Sequence, residues 1–314
     1  MKTQNQSPTR SNCWKSIAGA VTILVLTAWT AHADQLFASI NGTTANGGGS
    51  IFQYNPSGKQ STTLSSLDRP RGLAFDQTNN LFVATNSLNS TTGNLQGTIF
   101  KITPGGMIST FATGFPANFL LEKVVTDSCD NIFVVAANQN DPNLASTIFL
   151  ITACGTVSTF GSTPGDSLDM AFDSAGNLFV ADFGDQTIFK FTPAGVRSIF
   201  VGPPTFTAVQ RPEGLAFDKS GNLFVSTGGT DGNDAILKLT PAGVVSTFAT
   251  GLSQIPRGMA FSANGNLFVA EIGNTAPAAP GDILEFTPAG ARTVFASGLG
   301  RPQGNGGAEF LTLK

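Results

Sequence analysis

The sequence predicts an all-β fold: a six-bladed β-propeller of four-stranded antiparallel blades, its ring closed by the N- and C-terminal strands. Three observations predict it. A two-strand motif recurs at nearly constant spacing, a second two-strand motif follows each copy, and the two ends of the chain carry the halves of one split copy. Composition agrees. The 314 residues include 36 Gly, 17 Pro and 26 Phe, with 12% charged, which suits short strands and tight turns better than long helices.

The first motif has the form GLAFD, turn, NLFVA. It reads RPRGLAFDQTNNLFVAT from Arg69, LEKVVTDSCDNIFVVAA from Leu121, SLDMAFDSAGNLFVAD from Ser167, RPEGLAFDKSGNLFVST from Arg211 and IPRGMAFSANGNLFVAE from Ile255. Its second strand opens at Leu81, Ile132, Leu178, Leu223 and Leu267, which are 51, 46, 45 and 44 residues apart. The second motif is TIFKITPGG at 98–106, TIFLITACG at 147–155, TIFKFTPAG at 187–195, AILKLTPAG at 235–243 and DILEFTPAG at 282–290, each followed by a short apolar strand. Each unit is therefore four strands, a to d. The a–b turn is D-x-x-G-N and the c–d turn is T-P-A-G, both built of residues that turn cheaply. Strands a and b are almost wholly apolar, as expected when both faces are covered. Units of this length with four strands indicate a propeller.

The ends complete the ring. Strand b of a further unit starts at Leu36, with strand c from Ser50 and strand d from Gln60, and no strand a precedes them. Arg301-Pro302-Gln303-Gly304 opens like the other RPxG segments, and Ala308 to Leu313 supplies the missing strand. Pairing that strand beside the first removes a free sheet edge.

The repeat GLAFDxxGNLFVAD…TIFKFTPAG resembles NHL repeats and, more broadly, the six-bladed senescence-marker-protein/gluconolactonase (TolB-like) superfamily. The resemblance covers nearly all of residues 34–314, read as one domain. It implies a fold more firmly than an activity. Its lactonase branch holds a calcium-type ion with a Glu, two Asn and an Asp. Pro212-Glu213-Gly214 resembles the Pro-Asp-Gly segment of that branch, while Arg71, Leu168 and Arg257 stand where Asn is wanted and the opening Glu-Gly-Pro is absent. The lyase and paraoxonase branches depend on His.

Residues 1–33 read as a secretory signal peptide: Lys2, Arg10 and Lys15, then the apolar run Ile17 to Thr30, then Ala31-His32-Ala33 before Asp34. A secreted or periplasmic protein follows, with no membrane span in its mature chain, because the run is short for one. Cleavage moves the formal charge from −3 to −6 and leaves no basic cluster, which argues against nucleic acid. It also removes His32, the lone His, together with Trp14 and Trp29. A His base, a Ser-His-Asp triad and His-ligated metals are thereby excluded.

The a–b and c–d turns share one face and are short. The b–c and d–a connections share the other and carry the irregular insertions 85–97, 136–146, 227–234 and 271–281. Binding is expected on that looped face. The first residues of strand a ring the channel mouth there: Arg71, Glu122, Leu168, Glu213, Arg257 and, by the RPxG match, Gln303, with Asp169 one step deeper. These residues form a candidate ligand pocket, and Glu122, Asp169 and Glu213 could hold a divalent cation such as Ca2+ through oxygen alone. The other arrangement pairs Arg71 and Arg257 with those carboxylates and closes the channel, since confined charges need partners. Two functions follow. One is a monomeric, non-catalytic module binding a protein, peptide or small molecule. The other is a divalent-cation-dependent lactonase or esterase-type hydrolase with Glu213 or Asp169 as its base.

Other signals are structural. Cys129 and Cys154 lie in turns on one face of one blade and are expected to pair in an exported protein. Asp182 and Glu271 are expected to order b–c loops. The stretch 231–234 resembles part of a calcium loop but is read as a polar turn. Asn41 and Asn89 begin sequons.

Overall fold

The computed structural model describes residues 35–40, 48–141, 143–207, 210–228, 234–252, 254–273, 280–299 and 308–314. Residues 1–33, where a signal peptide is expected, the Asn41 sequon, 231–233 and Gln303 lie outside them. The regular structure of the described residues is entirely strand. The first blade contributes β1 (Leu36–Ile40), β2 (Gly49–Tyr54) and β3 (Gln60–Leu67). Blade two is β4 (Leu73–Phe75), β5 (Leu81–Leu88), β6 (Leu95–Ile102) and β7 (Ile108–Ala112). Blade three is β8 (Phe119–Thr126), β9 (Ile132–Asn138), β10 (Ser146–Ile151) and β11 (Val157–Thr163). Blade four is β12 (Ser167–Phe172), β13 (Leu178–Asp182), β14 (Thr187–Phe191) and β15 (Arg197–Val201). Blade five is β16 (Arg211–Phe217), β17 (Leu223–Gly228), β18 (Ala235–Leu239) and β19 (Val245–Thr250). Blade six is β20 (Ile255–Phe261), β21 (Leu267–Ile272), β22 (Gly281–Phe286) and β23 (Arg292–Leu299). The last strand, β24 (Ala308–Leu313), returns to β1 and completes blade one in the order β24-β1-β2-β3.

That closure is a full ladder. Leu36 faces Leu313, Phe37 faces Thr312, and Ala38 faces Leu311. Gln35 and Lys314 exchange backbone bonds of 3.3 and 3.0 Å beyond the strand ends. The ring closes as the split repeat requires.

The turns explain why the repeat is so regular. In the β12–β13 turn, Asp173 Oδ1 accepts the N–H groups of Ala175 and Asn177 at 3.0 and 2.8 Å, and Oδ2 accepts Asn177 Nδ2 at 2.8 Å. Gly176 sits at φ 79°, a left-handed conformation that favours glycine. The carboxylate thus satisfies backbone donors that the tight turn leaves open.

The core lies between blades. In blades three, four and five, strand b carries a Phe that meets edge-on a Phe of its own strand d and one of the next strand a. Phe133 lies 5.0 Å from Phe160 and 5.1 Å from Phe172, and Phe224 lies 5.0 Å from Phe248 and 4.9 Å from Phe261. Such edge-to-face pairs add about 0.5–1.5 kcal/mol beyond the area they bury. The repeated Phe positions are therefore inter-blade packing.

Two expectations are corrected. Cys129 is an exposed free thiol, so the Cys129–Cys154 disulfide is not formed. The turns they occupy join β8 to β9 and β10 to β11, two strand spacings apart in the sheet. That separation is about 10 Å, beyond the ~7 Å a disulfide can bridge. The insertion 85–97 is largely a hairpin rather than an irregular loop, because β5 and β6 continue their pairing to Leu88–Leu95. Its buried Asn86 bonds Leu121 twice across the blade boundary, accepting from the N–H at 2.8 Å and donating to the carbonyl at 2.9 Å.

Candidate ligand-binding mouth

Strand register decides which residues ring the channel. Leu73, Val124, Met170, Leu215, Met259 and Leu311 all sit opposite the third apolar residue of strand b. One residue earlier comes the layer Gly72, Lys123, Asp169, Gly214, Gly258 and Phe310, and one earlier again the ring Arg71, Glu122, Leu168, Glu213, Arg257 and Glu309. The sixth ring position in this register is Glu309; Gln303 lies outside the described residues.

The ring alternates in sign. In blade order it runs Glu309, Arg71, Glu122, Leu168, Glu213, Arg257 and back to Glu309. Arg71 bonds Glu122 on one side and lies 3.2 Å from Glu309 Oε2 on the other. Arg257 Nε donates to Glu213 Oε2 at 3.2 Å, and its Nη1 lies 3.9 Å from Glu309 Oε2. Glu309 is thus shared by the two arginines, and only Leu168 interrupts the chain of charges.

The layer beneath narrows the channel above an axial cavity of about 360 Å³ that the following strand-a residues line. Lys123 Nζ lies 3.2 Å from Asp169 Oδ1 and 5.5 Å from the centre of the Phe310 ring. Asp169, fully buried, also accepts the N–H groups of Met170 at 2.7 Å and Leu215 at 3.0 Å. Three blades carry these larger side chains where the other three keep glycine. A Cβ on Gly214 would run into the carbonyl of Arg257. The glycines let adjacent blades close up, while Lys123, Asp169 and Phe310 occupy the axis.

Of the residues expected at the site, Arg71, Glu122, Asp169, Glu213 and Arg257 are brought together. Glu122, Asp169 and Glu213 do not share one point, since each takes a different cationic partner. Among the described residues no group of three or more acidic, His or Cys side chains converges on a place for a metal ion. Sequence reasoning missed Glu309, Lys123 and Asp166. Lys123 could have been found, because it occupies the Gly slot of GLAFD. Half-buried Asp166 precedes β12 and has an Oδ1 without a protein hydrogen-bond partner. Asp182 orders its loop as expected, accepting Gly165 N at 2.9 Å and Asp185 N at 2.8 Å.

Burial dominates the titration of this cluster. It pushes Glu122 up to about 7 against the pull of Arg71 and Arg257. It likewise raises Asp169, Asp166 and Glu213, opposed by Lys123 at Asp169, by Arg257 and Arg71 at Asp166, and by Arg257 at Glu213. Asp182 is pushed up to about 6, mainly by burial. These groups keep protons in the folded chain at pH values where the unfolded chain has lost them. The native state therefore binds more protons between the ordinary carboxylate range and about 7, and stability falls as pH rises through that window. Urea midpoints should decline from about pH 5 to about pH 8, and Glu122→Gln should flatten the upper part of that decline. A midpoint that climbs over the same range contradicts this.

Comparison with solved structures gives the same architecture. A protein of unknown function from Bacteroides caccae superposes with a TM-score of 0.62 at 14% identity, covering 90% of this chain and 99% of that one. A catalytically inactive histidine-to-alanine variant of virginiamycin B lyase from Staphylococcus aureus, solved with quinupristin, gives 0.57 at 16% identity over 83% and 88%. A putative gluconolactonase gives 0.56 at 14% identity over 76% and 85%. The chain has the propeller fold of these proteins. At such identities the likeness extends to the fold alone. No protein-family model and no curated protein sequence matches the chain.

Proposed function

We propose that the protein is an exported binding module that engages a protein, peptide or small molecule through its looped face, and not a lactonase. One observation carries the reading: Arg71, Arg257 and Lys123 take up the carboxylates that a metal would need. A hard divalent cation takes six to eight oxygen ligands at 2.3–2.6 Å. Two of the six ring positions here are arginine, and a cation among them would face like charge. The residues as placed do not fit that ion.

Absence of a histidine elsewhere in the chain points the same way. The virginiamycin B lyase variant that lost a histidine is inactive, and the one histidine here, His32, falls within the expected signal peptide. The mouth instead offers five carboxylates (Glu122, Asp166, Asp169, Glu213, Glu309) against three cations. Asp166 Oδ1, without a protein partner, favours ligands that bring hydrogen-bond donors.

The test is a lactone-hydrolysis assay on gluconolactone and on simple aryl esters, with calcium, manganese or zinc supplied. The expected rate equals the buffer rate. Turnover above it that Glu213→Gln removes would establish the hydrolase instead.

A further inference from the structure

The short-turn face carries a site of a different kind. Opposite the strand-b Phe, strand c presents a lysine in three blades: Lys101 faces Phe82, Lys190 faces Phe179 and Lys238 faces Phe224. Each ammonium sits over its ring, at 5.5, 5.2 and 5.3 Å from the centre. Two of them also reach the aspartate that closes strand a of the same blade: Lys190 lies 3.9 Å from Asp173 and Lys238 lies 3.8 Å from Asp218. The repeat thus builds a small cage of phenylalanines and one carboxylate, and fills it with its own lysine.

Blade three keeps the cage and lacks the lysine. Phe133, Phe160 and Phe172 form the aromatic trio, and Asp127 closes strand a. The residue facing Phe133 is Leu150, which packs on the apolar cluster and brings no charge. The Asp127 carboxylate accepts bonds from its own turn: Cys129 N at 2.8 Å, Asn131 N at 2.9 Å and Asn131 Nδ2 at 2.9 Å. A cavity of about 520 Å³ opens here between blades three and four, lined by the trio, Asp127, Asp173 and Cys129 among others. Its counterpart between blades five and six, where Lys238 is part of the wall, measures about 200 Å³. The larger space carries a second carboxylate, Asp173, where the smaller has Ser262.

We infer that this cavity binds an alkylammonium group in the place that sibling blades give to lysine. Its chemistry specifies the occupant: a primary ammonium on a short aliphatic stem, stacked on Phe133 and held by Asp127. A cation desolvated over an aromatic face gains up to about 2 kcal/mol, and the adjacent carboxylate adds charge selectivity. Two sources share that chemistry, a free alkylamine and a lysine side chain of a peptide.

Cys129, exposed on the rim, reports occupancy. Its alkylation by a maleimide, mapped by mass spectrometry on the full mature protein, is timed with n-pentylammonium, with Nα-acetyl-lysine methylamide and with uncharged 1-pentanol. Both cations should slow labelling saturably, and pentanol should act at least about tenfold more weakly. If pentylammonium alone protects, the site takes free amines; if the blocked lysine protects as well, it takes side chains. Asp127→Asn should weaken protection about tenfold, and Leu150→Lys should abolish it while raising the melting temperature. Pentanol protecting as well as the amines overturns the inference. So does protection that Asp127→Asn leaves unchanged, a result that stands even if Leu150→Lys fails to fold.

Discussion

Arg257→Ala is expected to destabilise the protein by about 3–5 kcal/mol. The loss comes from what the arginine leaves behind more than from the bond itself. Glu213 is buried, and Arg257 pairs with it at 3.2 Å. Without that cation the carboxylate must stay charged in a dry setting or take up a proton. The deficit should therefore shrink on acidification, because a protonated Glu213 no longer needs a counter-charge. Replacing both partners with leucine should recover most of the loss, since a well-packed apolar pair is often as stable as a buried ion pair. Urea titrations of the two single variants and the double variant measure this directly. The cycle should show a coupling of the order of 2–3 kcal/mol. An Arg257→Ala protein as stable as the parent would mean that the mouth is open to water and the ring of charges is not closed.

Removing residues 308–314 should have the larger effect, with no cooperatively folded monomer remaining. The segment contributes Phe310 and Leu311, both buried in the ring closure. Truncating such side chains singly costs about 2–5 kcal/mol each, against a whole-domain stability of about 5–15. It also takes away Glu309, leaving Arg71 and Arg257 without the anion they share. It bares β1 as an open edge that can pair with another chain. Size-exclusion chromatography and circular dichroism should find aggregate or partly folded chain. A milder variant, Phe310→Ala, should remain soluble and lose about 3–5 kcal/mol. A truncated protein that melts like the parent would show that the ring does not depend on its closing strand.

Much of this fold was legible because each unit repeats its own instructions. The aspartate-glycine turns, the alternation of apolar runs and the split copy at the two ends all report on neighbours within one blade. The inner ring was partly legible for the same reason: strand a announces itself through GLAFD, which places Arg71, Glu213 and Arg257 by simple alignment. Glu309 escaped because β24 lacks the glycine and because the RPxG segment at 301–304 drew the alignment toward Gln303. Only pairing with β1 sets its register. Lys123 escaped for a related reason, as a glycine slot is not where a buried cation is sought. The pairings themselves could not be read. Arg71 meets Glu309 only after the ring has closed, and nothing local in either stretch encodes that contact. The disulfide expectation failed on distance within the sheet, which sequence spacing does not report.

The central claim is that Glu122, Asp169, Glu213 and Glu309 already have their cations. Calorimetric titration of calcium into purified, chelator-stripped protein spanning residues 34–314 tests it most directly, with thermal melting in calcium and in chelator as the companion trace. No saturable heat and superimposable melts are expected. A stoichiometric calcium site that raises the melting temperature and disappears in Glu213→Gln would contradict it.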